Sequence, residues 1–225
     1  KGFTPLCPNE LPVPEGDVIV PALNQLAERA QLRVGSKDAH SPQAAWVVPD
    51  HAQMLQALPL ANADLTWVSH CVPGTPGFEL LDGLPAPLDY DYFVWKGVEP
   101  DLHPYGACYH DLAEKRSTGA IEFLRQNAVE RVLVGGLALD YCVKTTALQL
   151  RRAGFAVGLG LALGFVARLV GTRLALRART AAFRLLHLDA GRVEALQHLA
   201  DACRAAVLRP ALARLVREVA ELGEG

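Results

Sequence analysis

A chain of 225 residues, 51% of them hydrophobic, can bury one α/β core of ordinary size or two small ones and is not a disordered tail. Charged residues make up 20% and the formal net charge is -2, which argues against a nucleic-acid binder with its basic face. The cysteines number five, with no charged-then-apolar leader ahead of them, so a reducing compartment, the cytoplasm, is expected rather than a secreted disulfide scaffold.

The chain opens on a proline-rich loop, Lys1-Gly2-Phe3-Thr4-Pro5-Leu6-Cys7-Pro8, without an initiator Met. Asp17 then caps a predicted helix with Val18, Leu23, Leu26 and Ala27 on one side and Pro21 in its first turn. A short buried strand is predicted over Leu32–Val34, running out into Gly35-Ser36-Lys37-Asp38-Ala39-His40. The stretch that follows is rich in turn residues, above all Cys71-Val72-Pro73-Gly74-Thr75-Pro76-Gly77, and reads as loop. A second strand is predicted from Tyr90 to Trp95, ending at Lys96-Gly97.

Ser117 and Thr118 precede a predicted helix that runs to about Asn127. Arg131–Val134 is a third strand, Cys142–Ala153 a helix and Ala156–Leu161 a fourth strand. This alternation of short apolar strands and helices predicts a mostly parallel sheet with helices on both faces. In such a sheet chemistry collects at the carboxyl ends of strands, where this chain carries Asp38/His40, Lys96 and Cys142.

The last part changes character. Between Asp140 and Asp189 there is no acidic residue, while Lys144, Arg151, Arg152, Arg168, Arg173, Arg177, Arg179 and Arg184 are all basic. Its apolar run, Ala153–Ala167, is shorter than the ~20 residues of a membrane span. Beyond Asp189 the composition is helical by propensity, broken by Pro210.

Cys142 falls where a loop passes into a helix, and helix N-terminal amides favour a thiolate or an oxyanion. Taken alone it reads better as a small core residue. Lys96, alone a solvated lysine, would stabilise a nearby thiolate. Asp38 and His40 lie two apart in an extended segment and point the same way, and His70 completes a two-His, one-carboxylate set of the kind that leaves metal positions open. His51, His103, His110, His187 and His198 read as surface residues. Trp67 and Phe3 suit stacking on a planar ring or packing in the core.

With these residues in place the chain resembles the isochorismatase-like cysteine hydrolases, and within them the nicotinamidases. The resemblance rests on Lys37-Asp38-Ala39-His40, on Trp67-Val68-Ser69-His70-Cys71-Val72-Pro73-Gly74-Thr75-Pro76-Gly77, on Val94-Trp95-Lys96-Gly97 and on Gly135-Gly136-Leu137-Ala138-Leu139-Asp140-Tyr141-Cys142-Val143-Lys144-Thr145-Thr146. It implies a three-layer, Rossmann-like core over residues 1–162; residues 163–225 do not follow the family pattern and are read by propensity as an atypical Arg/Ala/Leu-rich helical region. It further implies Cys142 as the nucleophile, supported by Lys96, with an oxyanion hole from the backbone amides of Ala138 and Cys142 and a cis peptide between Leu137 and Ala138. Asp38, His40 and His70 would hold a divalent metal (zinc, manganese or iron), while Phe3, Trp67 and Tyr105 would bind the substrate ring.

The implied activity is hydrolysis of the small molecule nicotinamide to nicotinate and ammonia through a thioester, with no nucleic-acid or membrane partner. The family's catalytic aspartate, in an Asp–x–Gln pattern of the first strand, aligns ahead of Lys1. The chain as given is therefore expected to lack that strand and to be weak or inactive, since losing a general acid/base removes roughly 100- to 10,000-fold in rate. Leu139 also stands where the family has threonine. Two alternatives go with these departures: an inactive member that binds metal or a nicotinamide-like ligand, and an amidase for another small amide. A truncated sheet and apolar tail helices would favour association into a homo-oligomer.

Overall fold

The computed structural model describes residues 1–160, in two compact units, one from Lys1 to Val129 and one that begins at Glu130. The expected boundary at residue 162 and the helical region after it lie outside the described residues.

In the first unit, α1 (Val20–Ala27) is followed by β1 (Val34–Asp38), then by four strands of two to four residues: β2 (Val47–Val48), β3 (Ala57–Leu60), β4 (Ala63–Leu65) and β5 (Trp67–Val68). β6 (Tyr92–Lys96) and α2 (Ala120–Gln126) complete it. β1 pairs with β6 and β2 with β5 in parallel, whereas β3 and β4 form an antiparallel hairpin. Opposite Phe93 in the β1–β6 register sits Gly35, where an added Cβ would lie 2.4 Å from the Phe93 ring, so only glycine lets the two strands close there. Tyr92 stacks on Phe123 with ring centroids 4.9 Å apart and donates its hydroxyl proton to the Thr118 carbonyl at 2.7 Å, which ties α2 to β6.

The second unit is built on a βαβ crossover. β7 (Arg131–Val134) and β8 (Ala156–Leu159) pair in parallel, joined by α3 (Lys144–Arg152), which packs on both. Ala147, Leu150 and Phe155 are buried along this contact face. A single π-helical turn, Leu139–Val143, runs straight into α3. The α/β class read from the strand–helix alternation is what the chain forms.

Two expectations need correction. Asp17 does not cap α1: it lies in a 3₁₀ turn over Gly16–Val18, and the helix starts at Val20 with no side-chain cap. Val18 is accordingly 63% exposed instead of lying on the apolar side. The first strand is displaced toward the C-terminus, to Val34–Asp38, because pairing with β6 holds Gly35-Ser36-Lys37-Asp38 extended despite its weak intrinsic preference. Among the described residues no helix is long and apolar enough to cross a membrane.

Candidate active site

β1 and β6 end together, and their last residues, Asp38 and Lys96, are register partners. Both side chains are buried, and Lys96 Nζ forms an ion pair with Asp38 Oδ1. Burial pushes the Asp38 carboxyl up, but the Lys96 ammonium and then His40 override it and hold the group well below the usual carboxylate range. Lys96 also donates to the Pro104 carbonyl at 3.2 Å. It is therefore not a solvated lysine.

Two loops bring imidazoles onto the other Asp38 oxygen. His40 follows β1 directly, with its backbone amide donating to the Cys71 carbonyl at 3.2 Å. Its Nδ1 lies 3.1 Å from the Gly97 carbonyl, and His70 Nδ1 lies 2.7 Å from the Val68 carbonyl. A carbonyl only accepts, so each Nδ1 carries a proton and each ring turns its Nε2 toward Asp38. Those atoms lie 3.3 Å (His40) and 3.9 Å (His70) from Asp38 Oδ2. Burial, then His40, lowers the His70 pKa to about 4, which keeps that ring neutral near pH 7.

Backbone geometry makes the approach of His40 feasible. Gly97 has φ +71°, and a Cβ there would lie 2.2 Å from His40 Cε1. Cys71 also takes a left-handed conformation, with φ 49°, and its amide donates to Glu10 Oε2 at 2.9 Å. That turn directs the Cys71 carbonyl at His40, while burial pushes the Cys71 thiol far up and makes it a poor thiolate ligand. Glu10 has no signature in the sequence that singles it out.

The Nε2 atoms of His40 and His70 thus converge on one oxygen of a buried carboxylate whose other oxygen is held by Lys96. His40 Nε2 has no hydrogen-bond partner among the described residues. The donor set, nitrogen plus oxygen, suits a divalent metal of the zinc, manganese or iron class, so the residues fit one.

The expected aromatic residues surround these groups. Phe3 meets His70 edge-on at 5.6 Å between ring centroids, and Tyr105 meets Trp67 edge-on at 6.3 Å. The Tyr105 hydroxyl donates to Asp64 at 2.7 Å. His103, read from the sequence as a surface residue, is instead buried, its ring parallel to those of His40 and Trp67. Trp46, to which the sequence assigned no role, is wholly buried with its edge against His103, and its Nε1 donates to the Leu102 carbonyl at 2.9 Å. His51 is exposed and His110 half-buried, whereas His187 and His198 lie outside the described residues.

In the second unit Cys142 is half-buried in the π turn that opens α3, a distortion frequent at functional sites. The Cys142 carbonyl accepts from Thr146 Oγ1 at 2.7 Å. The Leu137–Ala138 peptide is cis, as the resemblance implies. Ala138, just after it, accepts from the amides of Tyr141 and Val143 at 3.3 and 3.1 Å.

The fold and these motifs define an isochorismatase-type α/β domain: the family model described as "Isochorismatase domain" matches residues 6–159, and the chain belongs to that family. Among its relatives, the nicotinamidase of Acinetobacter baylyi is 30% identical over 157 residues, covering 68% of this chain and 72% of the relative. A solved structure, the Acinetobacter baumanii nicotinamidase pyrazinamidease, superposes with a TM-score of 0.60 at 25% identity, over 82% of this chain and 86% of that one. The pyrazinamidase of Pyrococcus horikoshii in complex with zinc gives a TM-score of 0.52 at 27% identity, over 82% and 89%.

Proposed function

We propose that this chain belongs to an amidase that hydrolyses nicotinamide to nicotinate and ammonia. The observation that carries this is the buried set at the ends of β1 and β6, in which Asp38, His40 and His70 turn one oxygen and two nitrogens toward one another. The names of the relatives supply the substrate, and the zinc-bound relative supports a metal.

Asp38, His40 and His70 would hold the divalent ion, which when bound would supply a Lewis-acidic contact for the ring nitrogen of the substrate. Lys96 keeps Asp38 ionised and hence able to serve as a ligand. Phe3, Trp67 and Tyr105 supply flat apolar surface for the ring. Cys142 is the nucleophile. Its thiolate, favoured at the start of α3 and, as the resemblance implies, supported by Lys96, adds to the carboxamide carbon, and the backbone amides of Ala138 and Cys142 receive the oxyanion.

Collapse of the tetrahedral adduct breaks the C–N bond. The proton that left the thiol goes to the departing nitrogen, and ammonia is released with a thioester on Cys142. Water then adds to the acyl carbon, giving nicotinate and returning a proton to the sulfur. The resemblance assigns the general acid/base for these transfers to an aspartate in an Asp–x–Gln pattern.

The test is ammonia release from nicotinamide by the protein in its complete reading frame, beside its Cys142→Ala variant. Turnover abolished in the variant is expected. Equal rates in the two, or a marked preference for non-aromatic amides, would overturn the proposal.

A further inference from the structure

His103 is the buried polar group at this site that the three-residue ligand set leaves unused. It follows β6 on the segment Leu102-His103-Pro104, and its amide donates to the Asn62 carbonyl at 2.7 Å. The residue is 5% exposed, and neither ring nitrogen has a hydrogen-bond partner among the described residues. A buried imidazole with both nitrogens unsatisfied is costly, and such exceptions call for a specific reason.

The surroundings supply one. The His103 ring lies 5.0 Å from that of His40 at an interplanar angle of 18°, and 5.6 Å from Trp67 at 15°. Trp46 meets it edge-on at 4.4 Å. One nitrogen each from His40, His70 and His103 lie within 4.8 Å of one another. Nitrogens on opposite sides of one ion at ~2.1 Å are about 4.2 Å apart, so small side-chain adjustments bring all three onto a single metal.

We infer that His103 is a further protein ligand of the metal held by Asp38, His40 and His70. This rests on the metal-binding role given above to those three residues. It has a chemical consequence. With three imidazoles and a carboxylate from the protein, a tetrahedral ion is already saturated, and a substrate nitrogen is admitted only by expansion to five or six ligands.

The experiment loads the full chain with Co²⁺ and follows affinity by chelator competition, together with the visible and near-ultraviolet absorption. His70→Ala should lose binding, which tests the underlying set by itself. His103→Gln should weaken Co²⁺ binding by at least the ~10–100-fold typical of an outer partner and change the visible bands. His103→Cys should restore binding and add a sulfur-to-cobalt charge-transfer band absent from the parent chain.

That band requires sulfur on the metal, so it distinguishes a ligand from a residue that only packs. It also decides the matter if His103→Gln fails to fold. If the parent chain binds and His70→Ala does not, while His103→Gln keeps the parent affinity and spectrum and His103→Cys shows no new band, the inference is overturned and the three-residue set stands. No binding by the parent chain would overturn both.

Discussion

Asp38 and Lys96 sit opposite each other at the carboxyl ends of β1 and β6, and their side chains form an ion pair in the buried interior of the first unit. Parallel pairing fixes this geometry, since the same register that seats Gly35 against Phe93 places the carboxylate beside the ammonium. Breaking a buried pair strands a charge, which typically costs 3–5 kcal/mol, whereas replacing both partners with apolar groups is often near neutral. Lys96→Met should therefore lower stability by about 3–5 kcal/mol. The double variant Asp38→Leu/Lys96→Met should recover much of that. Urea unfolding of the metal-free chains measures both, and a double variant as unstable as the sum of the singles would contradict the pairing.

Gly97 controls the position of His40. With φ +71° and a would-be Cβ 2.2 Å from the imidazole, Gly97→Ala must displace the ring or the backbone. A divalent metal that binds the folded chain raises its melting temperature. Added zinc should thus stabilise the parent chain clearly and the Gly97→Ala variant much less. Equal shifts in the two would show that His40 takes no part in binding.

Acid should destabilise the metal-free chain early. His70 has its pKa lowered from 6.5 to about 4 in the folded chain, by burial and then by His40, so the unfolded chain takes up the proton first. Stability is full above about pH 6.5 and falls as the pH drops toward 4, by on the order of 3 kcal/mol. Asp38, also lowered in the folded chain, adds its loss only below its ordinary 3.8. Urea midpoints at about pH 7.5 and about pH 5 should differ accordingly. His70→Asn should reduce the difference, the rest being carried by the buried His103, whose pKa burial also lowers, and a midpoint that stays constant in the parent chain would rule this linkage out.

The cysteines should separate by reactivity. Burial pushes the Cys108 thiol up to about 12 and the Cys71 thiol higher still, so near pH 8 only about one Cys108 in ten thousand is a thiolate. Cys142, half-buried at the start of α3, should be alkylated well before either. Peptide mapping after brief iodoacetamide treatment reads the order. Labelling of Cys71 or Cys108 ahead of Cys142 would contradict it.

Where local sequence and tertiary packing agree, the elements were legible. Arg131–Val134 is β7 residue for residue, and Tyr92–Lys96 and Ala120–Gln126 fall within two or three residues of their predicted bounds. The strands β2 to β5 were not, because runs of two to four residues carry no periodicity and exist through their pairing. The site shows the same division. Asp38, His40, His70 and Lys96 stand in recognisable runs at strand ends and lie together, although the ion pair of Lys96 with Asp38 was not indicated by the sequence. His103 and Trp46 have no such spacing, and their burial depends on how the loop after β6 folds over the site. The one available signal for His103 was its position between Leu102 and Pro104, shortly after Lys96.

In the proposed reaction, amide hydrolysis proceeds through an acyl group carried on Cys142. The most direct measurement is to mix the protein in its complete reading frame with nicotinamide, quench in acid during turnover and map the peptides by mass spectrometry. A nicotinoyl group on the Cys142 peptide, released by hydroxylamine and absent from Cys142→Ala, is the expected result. Ammonia release with no acyl group on Cys142, or with the acyl group on another residue, would contradict it.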